Sequence, residues 1–391
     1  MNPSANPKPF IAIACGGTGG HLFPGLAVAG QIKQRGGDVV LLISPKEIDQ
    51  QAVKTAVGME IFTLPAVGLQ NRNYFSFARS FLQSFFVARK FFKSRQPDAV
   101  LAMGGFTSAP PVLAGKISGA KTFLHESNAI PGRANRLLAS FVDVAFVGFP
   151  EAVARLRAEK SFVTGTPVRP QFSPVPSSQL FASNCRAALG LDPGRLTVLV
   201  VGGSQGARGL NHLVLSALPL LADKNWQWLH LAGANDVVKV QTAYAKLGLK
   251  AVVKPFLAEM DLALGAATAC VSRAGASSLA EMAAMRLPSA LVPLPTAADN
   301  HQFYNALAFD KNGAAKLLDQ NHSTPENVAA VLTGLMVAES VRSQIQTALA
   351  QWHAPLAADQ IAEKILAAIR QPAGMEPAAV ALGGAKVRAV A

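Results

Sequence analysis

Cysteine is scarce in this sequence. Cys15, Cys185 and Cys270 stand far apart and fit no metal-ligand spacing, which excludes a disulfide framework and points to a reducing compartment, the cytoplasm. Acidic side chains are scarce too: 23 Asp and Glu face 36 Lys and Arg, for a formal net charge of +13. The deficit is uneven, because residues 1–165 hold 9 acidic against 18 basic side chains and the remainder 14 against 18. An anionic substrate or surface near the first half fits that imbalance. Met1 to Pro9 has no charged-then-apolar arrangement, and Phe10 to Cys15 is too short for a signal core or a membrane span, so a protein that is not secreted is expected.

What is present is apolar bulk. Half of the 391 residues are hydrophobic, enough for two domains with full cores and too much for a disordered or fibrous chain. Short β-branched and apolar runs at Phe10–Cys15, Val39–Ile43, Ala99–Met103, Lys121–Leu124 and Val144–Val147 alternate with longer amphipathic stretches. A second series follows at Thr197–Val201, Gln227–Leu231, Ala251–Val253, Ala269–Ser272 and Ser289–Val292. Such alternation predicts parallel sheets with helical crossovers, hence an α/β chain of two doubly wound domains. Pro167, Pro170, Pro174 and Pro176 crowd the stretch between them, so residues 166–178 read as a linker. The expected organisation is a first domain over 1–165, a second over 179–356, a helix over 357–370 and a disordered tail over 371–391.

Each series opens alike. Ala14-Cys15-Gly16-Gly17-Thr18-Gly19-Gly20-His21 and Val200-Val201-Gly202-Gly203-Ser204-Gln205-Gly206 both run from a strand through glycines into a helix. That geometry brings free amides and the positive end of a helix dipole to one point, where a phosphate can sit. A glycine at such a junction also serves packing alone, but two such turns heading two domains make a cleft. Nicotinamide-dinucleotide binding would need an acidic residue after the second strand, where Ile43-Ser44-Pro45-Lys46 stands, although a phosphorylated ribose near Lys46 stays open. The stretch Ser272 to Glu281 repeats the strand–turn–helix pattern with small residues. Glu281 there either accepts hydrogen bonds from a ribose diol or merely complements the dipole.

Six motifs in order carry a family resemblance: Gly16 to His21 with Phe23-Pro24-Gly25, His125-Glu126-Ser127-Asn128, Gly165 to Arg169, Gly202 to Ala207, Arg273 to Ala276, and Asp299 to Gln302. Together they resemble the MurG family of peptidoglycan N-acetylglucosaminyltransferases, from about Phe10 to Ile369. Ser127 stands where the family often has Gln, and Phe106 where Tyr is usual. The resemblance implies a GT-B fold of two Rossmann-like domains facing a central cleft. It implies UDP-GlcNAc held mainly by the second domain and lipid I, the undecaprenyl-diphosphate-linked MurNAc-pentapeptide, at the first.

Carried over residue by residue, the resemblance puts Ser204 at the diphosphate, Ala276, Ser277, Ser278, Leu279 and Ala280 at the nucleotide and Glu281 at the ribose. It puts Gln302 at the sugar hydroxyls, Arg169 beside the donor and the Leu257 backbone at uracil, with Thr18, Gly19, Gly20 and Asn128 completing the site from across the cleft. No Asp-x-Asp pair occurs, so no metal and no cofactor are expected; helix dipoles and amides would stabilise the departing diphosphate. For the base, His21 leads because a helix N-terminus keeps its ring neutral, with a phosphate or substrate clamp as its competing role and His125 and Glu126 as rivals.

One further stretch stands out. From Ile61 to Pro97 no acidic residue occurs, while Arg72, Arg79, Arg89, Lys90, Lys93 and Arg95 alternate with seven phenylalanines between Phe75 and Phe92. This pattern fits either an anionic membrane surface or a crossover helix with a solvated basic face, and a mixture of both is expected. Nothing resembles a nucleic-acid module. Proteins of wall synthesis are expected as partners by analogy alone. Alternative functions are another GT-B transferase acting on a glycolipid, a UDP-GlcNAc epimerase, and a non-enzymatic nucleotide-sugar sensor.

Overall fold

Two wholly parallel sheets stand where the two series of strands are predicted, in a computed structural model that describes residues 8–46, 49–50, 53, 58–66, 74–172, 179–203 and 206–370. The first contains β1 (Phe10–Ala14), β2 (Asp38–Ile43), β3 (Glu60–Thr63), β4 (Ala99–Ala102), β5 (Lys121–Glu126), β6 (Val144–Val147) and β7 (Ser161–Val163), in the order β3-β2-β1-β4-β5-β6-β7. The second contains β8 (Thr197–Val201), β9 (Gln227–Leu231), β10 (Lys250–Lys254), β11 (Ala269–Ser272), β12 (Ser289–Leu291) and β13 (Lys316–Leu317), in the order β10-β9-β8-β11-β12-β13. In each sheet the order reverses beside the first strand. That reversal opens a crevice at the carboxyl ends between β1 and β4 and between β8 and β11.

The inner strands read as continuous apolar runs because both faces are covered. In β1, Ile11 and Ile13 pack to one side with α1 (Gly19–Gln34), while Phe10, Ala12 and Ala14 pack to the other with α2 (Tyr74–Ser94), α3 (Ala109–Ile117) and α4 (Arg133–Leu138). The second sheet is covered by α5 (Gln179–Ala188), α6 (Arg208–Ala217), α7 (Val237–Lys246), α8 (Met260–Ala266), α9 (Ala276–Ala284), α10 (His301–Lys311), α11 (Pro325–Val337) and α12 (Glu339–Trp352). Its core reaches into the first lobe at Phe149, whose ring lies 5.2 Å from that of Trp352.

The final helix, α13 (Ala357–Arg370), crosses back. Its Ile361, Ile365 and Leu366 are buried with Leu22, Val28 and Ile32 of α1, and Arg35 pairs with Asp359 at the rim. Burial of three such aliphatic side chains contributes roughly 2 kcal/mol each, so α13 is tied to the first lobe. In the linker, Pro170–Phe172 forms one 3-10 turn, while residues 173–178 and the tail 371–391 lie outside the described residues.

The basic, phenylalanine-rich stretch becomes α2, and its side chains divide. Phe92 is in the core and Phe91 stacks on Phe62 at 4.5 Å. Phe75, Leu82 and Phe86 are 82%, 54% and 58% exposed and line an open, largely apolar groove of about 780 Å³ together with Pro65, Ala78 and Arg79. Arg72 lies outside the described residues. No single helix among the described residues is long and apolar enough to cross a membrane.

Candidate functional site

The first wall of the cleft is the turn between β1 and α1. Thr18 is the N-cap but makes no capping hydrogen bond, which leaves the first amides of α1 directed outward. Its hydroxyl lies 3.1 Å from His21 Nδ1 instead. The turn is fastened from behind by Asp49, a buried carboxylate that accepts from Gly17 N at 2.6 Å, from Ser44 N at 3.2 Å and from the Ser44 hydroxyl. Lys46 Nζ donates to Gly17 O at 3.3 Å and lies 4.9 Å from the centre of the Phe106 ring.

His21 rests on the backbone of Gly104 and Gly105, both with left-handed φ of +107° and +80°. A Cβ on either would fall 3.0 Å from the imidazole, so only glycine leaves room for it. Burial lowers the imidazole pKa to about 4; Asp49 opposes that shift, while His301 and Lys46 push the same way. The ring is therefore neutral near pH 7, and its Nε2 has no hydrogen-bond partner among the described residues.

The rival candidates sit at the carboxyl end of β5 and are differently placed. His125 is fully buried, with Nε2 at 3.1 Å from Gly165 O and Nδ1 at 3.3 Å from Ser127 Oγ, so both ring nitrogens are engaged within the protein. Burial also lowers its pKa to about 4, with the Gly165 contact opposing and His21 adding to the shift. Glu126, 2% exposed, accepts four hydrogen bonds: from Asn128 N at 2.8 Å, Asn128 Nδ2 at 3.0 Å, Gly132 N at 2.9 Å and Asn135 Nδ2 at 2.8 Å. Its carboxylate shapes the loop that presents Asn128.

The second wall is the turn between β11 and α9. Gly275 is the N-cap without a side-chain bond, so the amides of Ala276, Ser277 and Ser278 open onto the cleft. Arg273 braces this turn from beneath, donating from Nη1 to Val292 O and Pro293 O at 3.0 Å each and from Nη2 to Gln320 Oε1 at 2.6 Å. The Leu279 side chain is buried in the second-lobe core, which leaves only its backbone for a ligand, and Ala280 is half-buried. Glu281 Oε1 accepts from Arg169 Nη2 at 3.3 Å. Burial raises the Glu281 carboxyl to about 7 even though Arg169 works against it and Asp261 adds a little. The Arg169 guanidinium lies 3.9 Å from the centre of the Phe23 ring and 5.0 Å from that of Phe172, with its Nε buried and unpartnered.

The β8 turn completes this wall. A Cβ at Gly206, where φ is +75°, would fall 2.4 Å from Ala232 O, so the chain passes β9 only as glycine. Ser204, with Gln205, lies outside the described residues. Leu257 is buried in the segment after β10, separated from the β8 turn by β9. Gln302, in the first turn of α10, accepts from Leu294 N at 3.0 Å through Oε1.

The walls meet directly. Ser277 Oγ donates to Gly20 O at 2.9 Å, beside Thr18 and Gly19, which brings the N-termini of α1 and α9 face to face. Asn305, fully buried one turn beyond Gln302, donates to Asn128 Oδ1 at 3.0 Å and to Ala274 O at 3.1 Å, and accepts from Ala129 N at 2.9 Å. The sequence alone does not single out Asn305, Asp49 or, as the support of Arg169, Phe23. The polar cluster ending at Gln302 was the one available signal for Asn305.

Facing helix N-termini, an arginine and a neutral imidazole suit a bound diphosphate and a hydroxyl that must lose a proton. Comparison with known proteins agrees. The glycosyltransferase family 28 N-terminal domain matches residues 11–147 and its C-terminal domain residues 197–361. The chain is 35% identical over 381 residues to the UDP-N-acetylglucosamine--N-acetylmuramyl-(pentapeptide) pyrophosphoryl-undecaprenol N-acetylglucosamine transferase of Anaeromyxobacter sp. (strain Fw109-5), covering 94% of this chain and 96% of that one. The protein of the same name from Xanthomonas axonopodis pv. citri (strain 306) is 36% identical over 390 residues, with 97% and 86% covered. Among solved structures, Acinetobacter baumannii MurG superposes with a TM-score of 0.72 at 29% identity over 92% of this chain and all of that one. A UDP-N-acetylglucosamine 2-epimerase superposes at 0.66 with 14% identity over 92% of this chain and 96% of that one, which is likeness of the GT-B fold alone.

Proposed function

The chain belongs to glycosyltransferase family 28, within the MurG group, and from that premise we propose that it transfers N-acetylglucosamine from UDP-GlcNAc to the muramyl sugar of lipid I, giving lipid II and UDP for peptidoglycan synthesis. The observation that carries the reading is the contact of Ser277 with Gly20, which sets two uncapped helix N-termini across one cleft. The α9 amides and Arg169 neutralise the donor diphosphate, Glu281 accepts from the ribose diol, and Gln302 and Asn128 hold the hexose.

In the reaction, an acceptor hydroxyl oxygen forms a bond to the anomeric carbon as that carbon's bond to the diphosphate oxygen breaks. The hydroxyl proton passes to a base, and the electron pair leaves with UDP, where amides and the guanidinium stabilise it. Direct displacement of this kind inverts the anomeric centre. His21 supplies the base, because its Nε2 is unengaged and its ring neutral, whereas His125 and Glu126 are saturated by internal hydrogen bonds.

The acceptor is lipid-linked, so the enzyme works at the membrane surface as a peripheral protein on the cytoplasmic face. The exposed Phe75, Leu82 and Phe86 on α2 enter the headgroup boundary while Arg79 and Lys90 meet anionic lipid, each cation contributing about 1 kcal/mol. The deciding assay supplies UDP-GlcNAc with and without lipid I and follows UDP and lipid II. UDP release only with lipid I supports the transferase; conversion of the sugar without acceptor means an epimerase, and binding without UDP release means a sensor.

A further inference from the structure

We propose that Arg133 and Arg136 of α4 and Asp299 before α10 form an inter-lobe latch that positions Asn128 against Gln302, making these three charged side chains positioning residues for the transfer proposed above. Arg133 Nη2 lies 2.8 Å from Asp299 Oδ1 and Arg136 Nη2 2.6 Å from Asp299 Oδ2. The two arginines are three residues apart on α4 and so share one face. They come from the first lobe and the aspartate from the second.

The segment they hold is unusual. Asp299 and Asn300 are consecutive non-glycine residues in the left-handed region, at φ +50° and +53°. Asp and Asn tolerate that conformation best, yet it persists only where surroundings over-determine it. Here the two guanidinium groups hold Asp299, the Asn300 amide donates to Ala297 O at 2.9 Å, and α10 starts at once with Gln302 in its first turn. One turn on, Asn305 bonds Asn128 and Ala129, which begin the loop leading to α4.

The same two elements thus grip each other twice. Inside, a buried amide sets register; at the rim, charges 76%, 42% and 25% exposed remain open to solvent and can part when substrate enters or leaves. Because α10 carries Gln302 and the opposing loop carries Asn128, the latch fixes the two residues proposed to hold the hexose from opposite sides.

The test uses the full-length protein with Asp299→Asn, since asparagine keeps the left-handed preference and loses only the charge. The three native cysteines are buried, so spin labels placed on Lys160→Cys and Lys239→Cys, both exposed, report the distance between lobes. The expected result is a broader, longer distance distribution and a drop in kcat/KM for UDP-GlcNAc of roughly three- to tenfold, the range for two exposed ion pairs. Arg133→Gln/Arg136→Gln should reproduce both changes, and combining it with Asp299→Asn should add nothing further. An unchanged distance distribution in Asp299→Asn, or losses that multiply in the combined variant, would overturn the latch. If the unmodified protein releases no UDP with lipid I, the proposed transfer fails while the distance measurement still decides the latch.

Discussion

Replacing Glu126 by glutamine separates a scaffold from a base. The carboxylate accepts two hydrogen bonds on each oxygen, from the backbone and side chain of Asn128 on one and from Gly132 N and Asn135 Nδ2 on the other. Glutamine has the same shape, but whichever end carries its NH2 group must face two donors that now have no acceptor. A buried unsatisfied donor costs about 1–3 kcal/mol, so two of them destabilise the first lobe by roughly 3 kcal/mol or more. At about 2–4 °C per kcal/mol for a domain of this size, the melting temperature should fall by roughly 6–12 °C. Asn128 loses its anchor in the same event, so KM for UDP-GlcNAc should rise. Differential scanning fluorimetry and steady-state kinetics on one preparation read both effects. A Glu126→Gln enzyme that melts normally, keeps its KM and loses kcat roughly a thousandfold would refute the scaffold assignment and make Glu126 the base.

The converse holds for His21→Gln, which should keep its melting temperature and lose roughly 10²–10⁴ in kcat, the range for removal of a general base. Because burial lowers the imidazole pKa to about 4, its protonation should leave the rate flat between pH 6 and 8; a limb inside that window that disappears with His21→Gln would overturn the lowered pKa, and an unchanged kcat in His21→Gln would overturn the base role. Glu281 behaves otherwise: its carboxyl titrates at about 7 and must be ionised to accept both ribose hydroxyls. Calorimetric affinity for UDP should therefore weaken as pH falls through 7, and Glu281→Gln should abolish that dependence while weakening binding at pH 8 by roughly tenfold or more. A pH-independent affinity from 6 to 8 would overturn the raised pKa, and an affinity that Glu281→Gln leaves unchanged at pH 8 would exclude Glu281 from the ribose. For the membrane surface, Phe75→Ser/Leu82→Ser/Phe86→Ser should reduce retention on anionic vesicles by roughly a hundredfold at unchanged melting temperature. Equal retention would leave the face merely solvated.

Ten of the thirteen strands among the described residues are legible, nine because their apolar runs are buried on both faces and the half-buried edge strand β10 by its apolar Ala251–Val253 run, and the two series alone define the fold class. The other three escape for one physical reason. β3, β7 and β13 are short edge strands with largely exposed residues, so they lack the two-sided burial that marks the inner strands. The amphipathic pattern of α13 announces a buried face without saying which lobe covers it.

The same division runs through the site. Glycine turns, the small residues of α9 and the position of Glu281 all belong to single strand–turn–helix units, and each is readable where it stands. Phe23 supporting Arg169, Asn305 holding Asn128, and the arginines of α4 meeting Asp299 are pairs whose partners lie 146 or more residues apart. No local pattern couples them, because an asparagine within a helix, or an arginine on one, reads as solvated until the opposing lobe is in place. His21, His125 and Glu126 differ, because their partners lie in their own lobe. Their residue types make all three eligible bases, and the proposal for His21 rests on the carbonyl of Gly165 and the amides of the 128–135 loop, which engage the other two. In the proposed reading, phosphate recognition is thus written locally and the choice of base within the first lobe, whereas the alignment of donor with acceptor depends on how the lobes pack. Substitutions at lobe contacts should accordingly alter turnover while leaving each sheet intact.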